Sequence, residues 1–114
     1  MDEAELILLY DYYGALLTQR QRECFELRYN EDLSLGEIGE ELGISRQGVY
    51  DNLSRTEALL RNMEQKTGCV SRDLKCRRVA ERVGALSSQL AQHCDAKVAA
   101  AAEEIASLLR ELEE

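Results

Sequence analysis

The residues best suited to a chemical task lie in the run SRQGVYDNLSR, residues 45–55. Arginine pairs with guanine and glutamine with adenine, so Arg46 and Gln47 at the start of a helix could read bases. Arg55 and Arg61 would suit phosphates. The side chains that we expect to face a nucleic acid from this helix are Ser45, Arg46, Gln47, Tyr50, Asp51, Ser54, Arg55 and Arg61.

A second basic cluster lies near residue 75. Arg72, Lys75, Arg78 and Arg82 recur three and four residues apart, which places them on one face of a helix. This face could contact phosphates, and RNA would suit it better than duplex DNA because arginine-rich helices can follow irregular RNA shapes. The alternative is a solvated helix face, which charge runs usually are.

The overall charge opposes simple binding to duplex DNA. The formal net charge is −8, from 22 acidic and 14 basic residues. Asp51 and Glu57 lie on the polar face of the candidate helix, and Glu37, Glu40 and Glu41 lie on the helix before it. Acidic groups near a phosphate oppose the counterion release that drives non-specific affinity. A helical pair used for protein contacts is therefore an open alternative.

Little in the chain indicates enzymatic chemistry. The run GEIGEELG has glycines but lacks the lysine of a phosphate-binding loop, and we find no nucleophile with a plausible base. The four cysteines form no C-x-x-C pair, and with His93 they offer no familiar zinc spacing. His93 beside Cys94 could be a ligand pair or a nucleophile with its base, but no second cluster completes either. We expect no enzyme, metal or cofactor.

Composition predicts an all-α scaffold for these residues. Ala, Leu, Glu and Arg recur, and Pro and Trp are absent, which favours helix almost everywhere. The first helix should run from about residue 4 to residue 17, opened by a capping-box pattern at Asp2 and Glu5. Its apolar residues at helical spacing are Leu6, Leu9, Tyr13, Leu16 and Leu17.

Two further capping boxes predict the next helices. Thr18 with Gln21 opens a second helix that runs to about Tyr29, and Ser34 with Glu37 opens a short third one. These helices bring the chain to the segment that carries the candidate nucleic-acid contacts.

The third and fourth helices have the pattern of a helix-turn-helix. Gly43 permits the tight turn, Ser45 caps the fourth helix, and Gly39 is small enough to let the two helices approach closely. The apolar residues in the required order are Ile38, Leu42, Ile44, Val49 and Leu53. This pattern is moderately specific for the motif.

The fourth helix is longer than groove reading requires. Its apolar seam continues to about Lys66, a length of roughly 30 Å, which indicates a packing role. Thr67 and Gly68 should end it, with Gly68 suited to a left-handed conformation. We therefore predict a helix-turn-helix domain over residues 1–68 and a helical dimerisation arm over residues 69–114.

The arm carries an apolar stripe that one small domain cannot cover. Its phase slips between Leu90 and Ile105, so the arm is either bent near Cys94 and Asp95 or packed as two helices. An exposed stripe of this kind usually marks an interface, and we expect a homodimer. The residues assigned to the dimer interface are Val83, Leu86, Leu90, Ile105, Leu108 and Leu112.

No segment predicts membrane insertion. The nearest apolar run, LILLY at residues 6–10, is far shorter than the ~20 residues that a bilayer span needs. We therefore expect a cytoplasmic protein.

Two runs of the chain resemble a known family. LTQRQRECFELRY, followed by LSLGEIGEELGISRQGVYDNLSRTEALL, is similar to region 4 of bacterial sigma factors, whose helix-turn-helix reads a promoter element. With LLYDYYGALLT in front, the chain is still more similar to the YlxM family of small bacterial proteins. The resemblance covers residues 6–66 and implies a sigma region 4-like helix-turn-helix bundle with a long helical C-terminal arm.

The resemblance also implies a cellular setting. YlxM proteins are gene neighbours of the signal recognition particle (SRP) GTPase, which implies a role in co-translational targeting, with regulation as a further role. This chain has Tyr50, Asp51 and Glu57 where sigma recognition helices are usually basic, which argues against promoter reading.

Three hypotheses follow from these observations. The chain is an accessory of the SRP that contacts its RNA or its GTPase, a sigma-like transcription regulator that binds DNA, or a structural dimerising adaptor.

Overall fold

The computed structural model describes residues 2–112, and that part of the chain folds into six α-helices and one short 3₁₀ turn. The helices are α1 (Glu3–Tyr13), α2 (Gln19–Tyr29), α3 (Leu35–Leu42), α4 (Arg46–Thr67), α5 (Cys69–Ala91) and α6 (Ala96–Glu111). Strands are absent from these residues. The all-α prediction is therefore confirmed.

The side chains at the predicted capping boxes hold the starts of α2 and α3. The Thr18 hydroxyl accepts a hydrogen bond from the Gln21 N–H at 3.2 Å, and Gln21 Oε1 accepts one from the Thr18 N–H at 3.0 Å. Ser34 and Glu37 form the same reciprocal pair at 3.1 and 3.0 Å. Each pair satisfies N–H groups that the first helical turn leaves without partners, which fixes where each helix begins.

The first helix is shorter than predicted. It ends at Tyr13, and Gly14–Leu16 form a 3₁₀ turn before Leu17 becomes extended. The chain must straighten here because Thr18 needs an extended backbone to cap α2. As a result Leu17 is buried, whereas Leu16, which the helical spacing grouped with the apolar stripe, is 71% exposed.

The chain divides into two compact units after Val70. In the first unit, α4 contributes to two apolar clusters, with Val49 in one and Leu60 in the other, both fully buried. The cluster around α1 contains Leu6, Leu9, Tyr13, Leu17, Phe25, Leu60 and Val70. The cluster between α2, α3 and α4 contains Cys24, Ile38 and Val49. The length of α4 is explained by this double role.

The second unit contains α6 and α5 from residue 71 onward, which we call the α5–α6 hairpin. Asp95 caps α6 by accepting a hydrogen bond from the Lys97 N–H at 2.8 Å. The Ser87 hydroxyl donates to the carbonyl of Ala102, and Leu109, further along α6, lies near Gly84, earlier on α5. The two helices therefore run antiparallel. Of the two alternatives for the arm, the structure contains two helices and not one bent helix.

The junction between α4 and α5 is a single residue. Gly68 adopts the predicted left-handed conformation, with φ 63°, and its N–H bonds to the carbonyl of Glu64. Within residues 2–112, every helix is too short or too polar to cross a lipid bilayer.

Candidate nucleic-acid interface

The turn between α3 and α4 is closed by two glycines with different roles. Gly43 has φ 71° and ψ 33°, a left-handed conformation that ends α3 and that glycine adopts without strain. Gly39 packs against the backbone of the turn and the start of α4, because a Cβ placed there would lie 2.7 Å from the Ile44 carbonyl oxygen and 3.6 Å from the Arg46 nitrogen. The predicted close approach at Gly39 is thus present in the structure.

The inward sides of α3 and α4 are buried as the sequence pattern predicted. Ile38 and Val49 are fully buried together with Cys24 of α2, and Leu42, Ile44 and Leu53 pack partly buried around them. This packing sets the rotation of α4 about its axis. The opposite side of α4 therefore faces solvent.

The first turn of α4 presents polar side chains to solvent. Ser45 accepts a hydrogen bond from the Gly48 N–H at 2.9 Å, which fixes the start of the helix. Arg46, Gln47 and Tyr50 are exposed and line a shallow depression together with Leu35. This arrangement places the two candidate base-reading residues at a helix N-terminus, from which recognition helices contact bases.

The acidic residues of the same surface limit these contacts. The Gln47 side-chain amide donates to Asp51 at 3.0 Å, so one of its donors is already bonded. Arg61 forms an ion pair with Glu57 one turn earlier. The backbone N–H of Ser34 bonds to the carboxylate of Glu37 and lowers its pKa, which keeps a negative charge at the start of α3.

Two arginines of the first unit bond to the main chain, a role that the sequence analysis missed. Arg20 donates to the carbonyl of Leu42 at 3.2 Å, at the end of α3. Arg28 donates to the carbonyl of Leu33 at 2.9 Å, in the loop before α3. No local pattern signals the Arg20 contact, because the two residues are 22 positions apart. Both positive charges support the helix-turn-helix, and Arg55 and Ser54 remain exposed on α4.

The second basic cluster lies along α5. All four predicted residues, Arg72, Lys75, Arg78 and Arg82, are exposed. Their neighbour Arg77 forms an ion pair with Asp73 at 3.3 Å. The cluster belongs to the second unit, and the α4 contacts belong to the first.

The six residues assigned to a dimer interface are all exposed on the α5–α6 hairpin. They are Val83, Leu86, Leu90, Ile105, Leu108 and Leu112, with exposed fractions from 36% to 76%. The structure thus leaves the apolar stripe of the arm open to solvent.

The cysteines and the histidine are spread over the chain. Cys24 is buried, which raises the pKa of its thiol, and the other three cysteines are exposed. His93 Nδ1 accepts a hydrogen bond from the Asp95 N–H at 3.0 Å, in the turn between α5 and α6. Among residues 2–112, no three His, Cys, Asp or Glu side chains come together in a way that could hold a metal ion.

Relatives of the chain carry one family name. A UPF0122 protein of Geobacillus kaustophilus (strain HTA426) is 44% identical over 106 residues, which cover 93% of this chain and 89% of that protein. A UPF0122 protein of Caldanaerobacter subterraneus subsp. tengcongensis is 53% identical over 78 residues, covering 68% and 67%.

A third relative matches more strongly over a shorter stretch. A UPF0122 protein of Thermoanaerobacter sp. (strain X514) is 61% identical over 67 residues, which are 59% of this chain. The chain therefore spans 57% of the length of that protein. The family model for UPF0122, the YlxM / p13 like helix-turn-helix proteins, matches residues 2–99. Because this match covers most of the 114 residues and agrees with the turn built around Gly39 and Gly43, the chain belongs to the UPF0122 family.

Proposed function

We propose that this protein is a non-enzymatic helix-turn-helix accessory or regulatory protein that binds nucleic acid and takes part in the SRP pathway. The observation that carries the proposal is the first five residues of α4, where Arg46, Gln47 and Tyr50 are exposed while Val49 is fully buried. A helix held in this way offers polar side chains to a ligand from a fixed position. Membership of a helix-turn-helix family supports the same function.

The proposed target is the RNA of the SRP, or its GTPase. The similarity to the YlxM family supports this choice, because that family is encoded beside the GTPase. The first unit also favours RNA over a long DNA duplex. Two of its candidate contact residues, Gln47 and Arg61, are already bonded to the acidic side chains of Asp51 and Glu57. Folded RNA offers loops and bulges whose bases a protein can reach without entering a major groove.

The proposed contacts to RNA come from both units. Arg46 and Gln47 would contact bases, with Ser45 and Tyr50 beside them. The proposed phosphate contacts are Arg55, Arg61, Arg72, Lys75, Arg78 and Arg82. The cluster on α5 would supply positive charge that the acidic first unit lacks.

A second candidate function is a DNA-binding transcription regulator of sigma region 4 type. The exposure of both Arg46 and Gln47 in the first turn of α4 favours it, because residues at this position of a recognition helix contact base edges in the major groove.

We further propose that the protein acts in the cytoplasm as a homodimer. Residues 1–68 would form the helix-turn-helix domain and residues 69–114 the dimerisation arm. The exposed apolar side chains of the α5–α6 hairpin support this division of roles.

A binding titration tests the nucleic-acid part of the proposal. The full-length protein is titrated with three probes at several salt concentrations: SRP RNA, an unrelated structured RNA of equal length and a DNA duplex. The variants are Arg46→Ala and Lys75→Ala, with Lys97→Ala on α6 as a control that removes a positive charge from outside both proposed sites. Purified SRP GTPase is tested for binding to the parent protein in parallel.

The proposal expects the tightest binding for SRP RNA or a direct complex with the GTPase. Lys75→Ala should flatten the salt dependence of RNA affinity by about 0.7 to 0.9 units, the contribution of one phosphate contact. Preferred binding to duplex DNA that Arg46→Ala abolishes would support the transcription regulator instead. Absence of binding to all three nucleic acids and to the GTPase would contradict both candidates.

A further inference from the structure

The two helices of the α5–α6 hairpin meet through small side chains. Ser87 and Ala102 are 2% and 1% exposed, and Leu109 lies 3.7 Å from the position that a Cβ on Gly84 would occupy. We call the residues on this side of each helix the inward row. It consists of Ala80, Gly84, Ser87 and Ala91 on α5 and of Ala102, Ala106 and Leu109 on α6.

Larger apolar side chains fill the positions just before the inward row and remain exposed. We call them the outward row, and none of its members is less than 36% exposed. It consists of Val79, Val83, Leu86 and Leu90 on α5 and of Ile105, Leu108 and Leu112 on α6 and its C-cap. The spacing of four, three and four residues on α5 is that of a seam between packed helices.

Both halves of the outward row lie on the same side of the hairpin. Apart from Leu112 at the C-cap of α6, each member of the outward row precedes a member of the inward row by one residue, a rotation of about 100°. Because the inward rows face each other and the helices run antiparallel, the two rotations bring the outward rows to one common face. This face is apolar along both helices.

The two edges of this face carry opposite charges. Arg78 and Arg82 each stand immediately before a member of the outward row on α5, and Glu104 and Glu111 do so on α6. All four side chains are exposed. The face is therefore basic along its α5 edge, and its α6 edge is acidic from Glu104 onward, whereas Lys97 lies at the start of that edge.

We propose that this face binds the same face of a second copy, with α5 of each chain packed against α6 of the other. The pairing rests on the homodimer proposed above and gives it an arrangement. A two-fold axis parallel to the helices places the basic edge of each copy beside the acidic edge of its partner. A two-fold axis across the helices would place Arg78 and Arg82 against the same residues of the partner, where like charges repel.

The contacts inside the hairpin put the opposite charges at matching levels. A Cβ on Gly84 would lie 3.7 Å from Leu109, and Ser87 bonds to Ala102, so Arg82 is level with the stretch of α6 between Glu104 and Glu111. A two-fold rotation about an axis parallel to the helices preserves that level. Arg82 of each copy then faces these two carboxylates of its partner.

The pairing narrows the set of phosphate contacts on α5. Arg78 and Arg82 lie at the rim of the dimer and share their charge with carboxylates. Phosphate contacts from α5 then fall to Arg72 and Lys75, earlier on the helix.

Sedimentation of the full-length protein without nucleic acid tests the pairing. The parent should sediment as a dimer at micromolar concentration. The double variant Glu104→Arg/Glu111→Arg should raise the dimer dissociation constant by about tenfold or more, because it places like charges at both rims. Arg78→Glu/Arg82→Glu should do the same, and the combined fourfold variant should restore the dimer.

Glu103→Arg is the matched control, since it reverses one charge on the side of α6 opposite the outward row, and it should leave the dimer unchanged. Far-UV circular dichroism checks that every variant keeps its helices. The pairing would be overturned if the parent protein were a monomer. It would also be overturned if the fourfold variant failed to restore the dimer that each double variant weakens. Neither result would affect the conclusion from the RNA titration, because sedimentation without nucleic acid measures only the association of the protein with itself.

Discussion

The Tyr13 hydroxyl donates a 2.7 Å hydrogen bond to Glu64, across 51 residues of sequence. The same carboxylate oxygen accepts the Val70 N–H at 3.0 Å, and the Tyr13 hydroxyl also bonds to Thr67 at 2.6 Å. The Glu64 carboxylate thus joins Tyr13 of α1 to the first turn of α5, and Tyr13 itself bonds to two residues in the last turn of α4. The end of the first unit is fixed by polar contacts as well as by apolar packing.

Replacing Tyr13 with Phe should lower the free energy of unfolding by about 1 to 2 kcal/mol, because the Glu64 carboxylate loses a donor while the ring remains buried. Urea denaturation measures the change. Tyr50→Phe is the control, since Tyr50 is 55% exposed and its change should stay within about 0.5 kcal/mol. Equal losses in the two variants would mean that the hydroxyl of Tyr13 contributes nothing specific.

Gly39→Ala should destabilise the helix-turn-helix by about 2 kcal/mol, because the new methyl group would lie 2.7 Å from the Ile44 carbonyl oxygen. Gly36→Ala on the same helix is the control. Its methyl group would meet only Ser34 Oγ at 4.0 Å, and alanine is the better helix former, so stability should rise by up to about 1 kcal/mol. Thermal melts of both variants give the comparison, and a gain in stability for Gly39→Ala would refute the close approach.

Val49→Asp should cost several kcal/mol of stability, about 3 or more, because Val49 is fully buried and a carboxylate there has no partner. Leu42→Asp should cost less than Val49→Asp, since Leu42 is only partly buried. Arg46→Ala should change stability by less than about 0.5 kcal/mol. Denaturant titrations rank the three, and a larger loss for Arg46→Ala than for Val49→Asp would show that the register assigned to α4 is wrong.

Stability should fall at high pH through Tyr10. Burial raises the pKa of Tyr10 to about 12, and the hydrogen bond to Glu26 adds to the effect. The fold therefore favours the neutral phenol, so its contribution is complete below the ordinary pKa of 10.0 and is lost as pH rises from 10 towards 12.

Tyr10→Phe should reduce this dependence on pH without removing it, because burial also raises the pKa of Tyr13 and of Tyr29. Urea denaturation at several pH values between 9 and 12 measures the slope. A slope identical to that of the parent would exclude Tyr10 as a source.

Local signals predicted most of the helix boundaries. The capping boxes at Thr18 and Ser34, the helix end at Gly43 and the left-handed Gly68 are all present as predicted. Each depends on residues within one turn of each other. The end of α1 could not be predicted in this way. Whether Leu16 or Leu17 enters the core depends on how the extended segment reaches α2, and the spacing of apolar residues carries no information about that path.

The exposure of the candidate site residues could be predicted from the sequence, but their electrostatics could be predicted less well. The exposure of Arg46 and Gln47 follows from the periodicity of Val49 and its neighbours on α4. The bond from Arg20 to Leu42 depends on the docking of α2 against α3, which no single helix reveals. A count of basic residues therefore overstates the positive charge that the first unit can offer to a phosphate.

The inward and outward rows of α5 are only one residue apart. The helix should therefore tolerate substitutions better than changes of its length. One residue inserted near position 81 would rotate the rest of the helix by about 100°. Leu86 and Leu90 would then take the places of Ser87 and Ala91, where only small side chains fit against α6. A substitution on this helix changes one contact, whereas a change of length moves every later residue of α5 off its row. Insertions and deletions should therefore be rarer in α5 than in the turn that follows it.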